Sequence, residues 1–157
     1  MLRRVDLPAS VAGSLWLSAM PGRFEPWPVA LQAMRQQGVN RVLCLTPQEE
    51  MDRLSPAYRS AIDGHDLPFK WAHLPMENFG LPTDMAAFEQ GIAEVVRALQ
   101  GGEAVLLHCA AGIGRTGSAA ACVVKRLGLT TQEALDRVRE AGSNPENAIQ
   151  SGLVQRF

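Results

Sequence analysis

Cysteine is scarce in this chain: three residues in 157, Cys44, Cys109 and Cys122. An odd and widely spaced set excludes a disulfide framework and fits a reducing compartment. No C-x2-C and no paired histidine occurs, so zinc-ligand spacing is missing as well. Neither sign of charge is in excess, because 15 Lys and Arg face 16 Asp and Glu for a formal net charge of −1. That balance excludes a general basic field for nucleic acid or for an anionic membrane. No apolar run nears the roughly eighteen residues of a membrane span. Met1-Leu2-Arg3-Arg4 is not followed by the apolar stretch and cleavage site of a signal peptide. Repeats, low-complexity tracts and linkers are also missing. The expectation is one cytoplasmic, monomeric domain over residues 1–157.

The rest is ordinary globular composition, 46% hydrophobic and 20% charged. Leu15–Ser18, Arg41–Leu45, Phe69–Leu74 and Ala104–Leu107 read as strands. Pro28–Gln37 reads as a helix stopped by Gly38. Residues 48–63 read as a helix in two pieces, broken at Ser55-Pro56. Thr83 caps a helix running to Leu99, and further helices are expected at 118–127, 131–140 and 146–157. Strands alternating with helices predict an α/β sheet with helices on both faces.

One stretch carries most of the chemistry: His108-Cys109-Ala110-Ala111-Gly112-Ile113-Gly114-Arg115-Thr116-Gly117. It joins a buried strand to a helix. A loop so placed gathers backbone N–H groups and the positive end of a helix dipole into a small space. That space attracts an oxyanion, and Arg115 adds a planar pair of donors to it. A thiol in such a field is favoured as the thiolate, the nucleophilic form. A nucleophile beside a phosphate cradle implies attack on phosphorus and a phosphocysteine intermediate. Cys109 is thus the expected nucleophile. The backbone from Cys109 through Ala110, Ala111, Gly112, Ile113 and Gly114 to Arg115 is the expected phosphate site. Thr116 is placed to donate its hydroxyl to the sulfur as it leaves phosphorus.

His108–Gly117 resembles the signature H-C-x-x-G-x-x-R-[ST]-G of the cysteine-based protein tyrosine phosphatase superfamily, and the short chain is most similar to its compact dual-specificity-like, prokaryotic-type branch. The resemblance implies a short, mostly parallel central sheet flanked by helices. It also implies a phosphotyrosine or dual-specificity phosphatase acting on phosphorylated protein or aryl phosphate, without metal or organic cofactor. An acidic residue after the Arg41–Leu45 strand, here Glu50, would orient Arg115. Gln150 or Gln155 would position the hydrolytic water. Trp27, Phe24 and Phe79 are candidates for the mouth of the site, and His108 for tuning the loop.

The family's proton donor is an aspartate shortly before a proline, upstream of the signature. In Pro75–Asp84 that position holds Asn78, an amide with no acidic proton to give. Asp84, the nearest aspartate, is taken as the general acid, although it also suits a helix N-terminus. Glu77, a loop carboxylate, and Glu146, which also reads as first-turn helix charge, are the alternatives. A missing acid favours phenolic leaving groups, whose conjugate acids have a pKa near 10. Two rival functions remain. One is a phosphotyrosine-binding module with little turnover. The other is a phosphoinositide phosphatase, disfavoured because Ala110, Ala111 and Ile113 stand where such enzymes carry lysines. Cys44 lies near the end of a strand expected beside Ala104–Leu107. It is a candidate resolving partner for an oxidised Cys109, or a small buried hydrophobe.

Overall fold

The computed structural model describes residues 1–157. Five strands, β1 (Arg3–Val5), β2 (Ser14–Ser18), β3 (Val39–Cys44), β4 (Lys70–His73) and β5 (Ala104–His108), form one sheet in the order β1-β2-β5-β3-β4. All neighbours are parallel except β1 and β2. Seven helices complete the chain: α1 (Trp27–Gln36), α2 (Gln48–Leu54), α3 (Pro56–Asp63), α4 (Met85–Gln100), α5 (Gly114–Arg126), α6 (Thr131–Glu140) and α7 (Ala148–Arg156). This is the mostly parallel α/β architecture that the sequence predicts. No helix is long and apolar enough to cross a membrane.

β5 is the middle strand and every residue of it is buried, as a parallel strand covered on both faces requires. Its side chains alternate between two layers. Val105 and Leu107 enter a cluster of 25 buried residues in which α4, α5, α6 and α7 pack on the sheet. Leu106 faces Met34 of α1 in a smaller cluster on the other side. α5 is buried from Gly114 to Val124. Its small residues, Ala119 to Ala121, let the helix backbone lie close to the sheet. A buried central helix aimed by β5 places its N-terminus at the sheet's carboxyl edge, where open α/β sheets bind ligands.

Most boundaries shift by a residue or two; three of the corrections bear on the site, and one element is added. α5 begins at Gly114 rather than residue 118, so Arg115 and Thr116 belong to its first turn. The cap of α4 is Asp84, not Thr83. α7 starts after the cap Asn147, which leaves Glu146 outside the helix. β1 is new: three residues, two of them arginines, carry too little apolar pattern to read as a strand.

Candidate active site

The loop after β5 curls around the sulfur of Cys109, which is 2% exposed. Its carbonyls are tied outward. Ala110 O accepts from Met20 N at 3.3 Å and from Arg23 Nη1 at 2.9 Å. Gly112 O accepts from Arg3 Nη2 and Ser143 Oγ, both at 2.6 Å. Ile113 O accepts from Asn144 N at 3.1 Å. With the carbonyls engaged away from the centre, the N–H side of the loop is left to face it. One such group, Gly112 N–H, donates to Cys109 Sγ at 3.2 Å and stabilises negative charge there. The first amides of α5 have no partner within the helix and add to the same field.

Two glycines make the curl possible. Gly112 has φ +76°, and a Cβ on it would lie 2.5 Å from Ala19 N at the end of β2. A Cβ on Gly117 would lie 2.4 Å from Asn144 N, so residue 144 can reach Ile113 only across a bare α-carbon.

Arg115 is 3% exposed and its guanidinium is held from behind. Nη1 and Nη2 donate to the two carboxylate oxygens of Glu50 at 2.8 and 2.9 Å, and Nη1 also donates to Met76 O at 3.1 Å. Burial opposes the arginine's charge, but the Glu50 carboxylate and the sulfur of Cys109 outweigh it and hold the guanidinium above its ordinary pKa. The expected contact between Glu50 and Arg115 is therefore present. Thr116 differs from expectation: its Oγ1 is buried and bonds to nothing, the Cys109 sulfur included.

Below the loop runs a chain of polar groups whose direction is fixed. Cys109 O can only accept, so His108 Nδ1, 3.2 Å away, carries the proton. His108 Nε2 then accepts from Tyr58 Oη at 2.8 Å, and Tyr58 Oη accepts from Trp71 Nε1–H at 2.8 Å. Burial lowers the His108 pKa from 6.5 to about 4, which keeps the ring neutral. As pH falls from 6.5 toward 4, the unfolded chain takes up a proton that the folded ring refuses. Stability should therefore fall through that window, by up to about 3 kcal/mol from this residue. Denaturant midpoints near pH 7 and near pH 4.5 should separate more for the wild type than for His108→Gln.

A cavity of about 270 Å³ opens over the sulfur. Cys109, Ala110, Ala111, Gly114 and Arg115 line it from the signature, and Arg23, Glu50, Arg53, Leu54, Asn78, Phe79 and Glu146 line it from elsewhere. Asp84, taken from sequence as the general acid, is absent from this lining. Its carboxylate accepts from Ala87 N at 3.0 Å and caps α4, which fully explains an aspartate at that position. Glu77 is exposed on the same loop and lies outside the cavity. Gln150 is buried with its Oε1 on Glu146 N at 2.8 Å, and Gln155 is exposed; neither lines the site. Of the three aromatics, Phe79 lines it, whereas Trp27 packs on Tyr58 at 5.2 Å and Phe24 lies under Arg23 at 4.5 Å.

Cys44 stands in register with His108, so β3 does bring it beside the signature strand. Its thiol is fully buried, 3.2 Å from Thr46 Oγ1, in a cluster with Met20, Met51 and Tyr58. Burial raises its pKa from 9.0 to about 11, so it is a protonated thiol at neutral pH. A protonated thiol is a slow resolving partner. After peroxide and thiol treatment, Cys44→Ser should regain the same activity as wild type. Loss of recovery in the variant alone would assign Cys44 a redox role.

The fold and site together define a phosphatase of the cysteine-based tyrosine and dual-specificity class. Residues 18–129 match the family described as "Tc-R-P: Polymorphic toxin system, DSP-PTPase phosphatase", and the chain belongs to it. No curated protein matches the chain. Among solved structures, kinase associated phosphatase is similar at TM-score 0.87 and 18% identity, covering 100% of this chain and 93% of that one. Tk-PTP in its active form follows at TM-score 0.73 and 22% identity, covering 94% and 95%. PTPMT1 gives TM-score 0.73 and 18% identity, covering 100% and 93%, and has also been solved in complex with PI(5)P. At such identities the likeness is one of fold.

Arg3 and Ser143 escape a reading of the sequence. Arg3 reaches Gly112 O across 109 positions and also holds Ser143 Oγ at 2.9 Å. No local pattern announces such a contact.

Proposed function

We propose that this phosphatase hydrolyses phosphotyrosine in proteins through a phosphocysteine intermediate. The observation that carries the reading is the meeting of Cys109, the amide face of its loop and Arg115 in one cavity. Cys109 Sγ attacks phosphorus and forms the S–P bond while the P–O bond to the leaving group breaks. The loop amides and the guanidinium of Arg115 take the charge of the non-bridging oxygens, an arrangement that needs no reorganisation at the moment of reaction. Thr116 Oγ1, free of other partners, donates to the departing sulfur when water attacks the intermediate. Glu50 keeps Arg115 in plane. No metal or organic cofactor takes part in these steps.

Phosphotyrosine is favoured over phosphoserine because the wall beside the sulfur includes Phe79 and Leu54. An aryl ring packs on such a surface, and offset aromatic pairs add about 0.5–1.5 kcal/mol beyond burial. One observation favours a second reading. Arg23 and Arg53 also line the cavity, and neither pairs with a carboxylate, so a substrate with a second anionic group would be met there. The test is hydrolysis of phosphotyrosine peptide, phosphoserine peptide and phosphoinositide by the same preparation. Phosphotyrosine turnover at least tenfold above the others supports the first reading. A phosphoinositide preference supports the second, and binding without phosphate release would make the domain a phosphotyrosine-binding module.

A further inference from the structure

The reaction needs a proton for the leaving oxygen, and the aspartate expected to give it is Asn78 here. Two carboxylates line the cavity, Glu50 and Glu146. Both oxygens of Glu50 are taken by Arg115. Glu146 makes no side-chain hydrogen bond or ion pair, so its carboxylate is free. It lies against the signature loop itself: a Cβ built on Gly114 would fall between 2.0 and 2.9 Å from Glu146 Oε1, Cδ and Cγ. Gly114 has no positive φ, so its backbone does not demand glycine. What the missing side chain leaves is the space in which the Glu146 carboxylate sits.

The backbone around Glu146 is fixed from two sides. Its N–H donates to Gln150 Oε1 at 2.8 Å, and that amide is fully buried. Next to it, Asn147 Nδ2 donates to Phe79 O at 2.7 Å. The second bond ties the Asn78 loop to the Glu146 segment across the mouth of the site. Asn147 also caps α7 through Gln150 N at 2.9 Å. A side chain mounted on an anchored backbone, with its head unbonded, meets the geometric needs of an acid–base group.

We infer that Glu146 is the proton donor of this enzyme, on the C-terminal side of the signature in place of the loop that carries Asn78. The inference rests on the phosphocysteine reading above. In the first step Cys109 Sγ bonds phosphorus, the P–O bond breaks, and the Glu146 proton goes to the departing oxygen. In the second step water attacks phosphorus and gives its proton to the Glu146 carboxylate. The S–P bond then breaks, phosphate leaves and the thiolate and the acid are both restored.

The experiment compares wild type, Glu146→Gln and Cys109→Ser on two substrates in the first turnover. One is a phosphotyrosine peptide, whose phenoxide needs a proton. The other is nitrophenyl phosphate, whose phenoxide leaves unaided. Glu146 is exposed, so the amide does not disturb the core. Glu146→Gln should slow phosphotyrosine cleavage by roughly 10²–10⁴, the usual worth of a general acid, and leave the nitrophenol burst within a few-fold. The other ionisable side chains that line the cavity, Arg23, Glu50, Arg53, Cys109 and Arg115, are unchanged in that variant. Equal slowing on both substrates, or none on either, overturns Glu146 as donor; if Cys109→Ser is then inactive, the phosphocysteine reading survives. Full activity in Cys109→Ser overturns both.

Discussion

Cys109→Ser should remove phosphotyrosine turnover and leave oxyanion binding in place. The serine hydroxyl stays protonated at neutral pH and is a far weaker nucleophile than a thiolate; Glu50 is committed to Arg115, and Glu146 has to act as an acid in this step. Loss on the order of 10⁶-fold is the scale seen when an enzyme's nucleophile is removed. The cradle does not depend on the sulfur. Its carbonyls are held by Arg3, Arg23, Ser143 and Asn144, and Arg115 by Glu50. Tungstate or phosphate should therefore bind the variant within a few-fold of wild type, measured by calorimetry. Acid-quenched wild type should carry a phosphate on the peptide containing Cys109, and Cys109→Ser should carry none. Turnover within tenfold of wild type in the variant would end the covalent mechanism.

The part of the site that lies in one unbroken segment was legible in the sequence. The strand before Cys109 is an apolar run bounded by Gly101-Gly102, and the loop and helix follow within a few residues. Local chemistry decides such features. The start of α5 was placed four residues late, because Gly114 and Gly117 look like loop residues until the packing shows what they make room for. Groups that reach the site from elsewhere divide into two kinds. Glu50 could be named because the resemblance supplied a role for an acid after β3. Arg3, Arg23 and Ser143 could not, because they support the loop through backbone carbonyls, and a carbonyl is the same in every residue. The acid shows the same limit from another side. Asp84 is nearest in sequence to the usual donor position, but proximity along a chain does not decide which carboxylate faces a cavity. The cap on α4 accounts for Asp84, and the free carboxylate comes from a segment about sixty residues later.

Glu50→Ala should cost the enzyme both stability and rate. Arg115 is 3% exposed on its side chain and Glu50 17%, so the pair is shielded from solvent. Removing one partner leaves a buried guanidinium with a single remaining acceptor, Met76 O. Breaking a buried pair in this way costs about 3–5 kcal/mol, against roughly 0–1 for an exposed pair. The upper end does not apply, because the cavity lets water reach the freed guanidinium; about 3 kcal/mol is the expected loss. For a chain of this length that lowers Tm by on the order of 10 °C. Asp63→Asn breaks the exposed pair between Arg59 and Asp63 and should move Tm by no more than about 2 °C. The kinetic effect separates orientation from stability. Without Glu50 the two donors of Arg115 are no longer held toward the phosphate, and kcat should fall by roughly 10²–10³, the scale of one lost transition-state donor. Measured at a temperature where the variant is folded, that fall should be equal for phosphotyrosine and nitrophenyl phosphate, because Arg115 binds the phosphoryl oxygens common to both. A drop in Tm with kcat unchanged would make Glu50 a packing residue and leave Arg115 oriented by the loop alone.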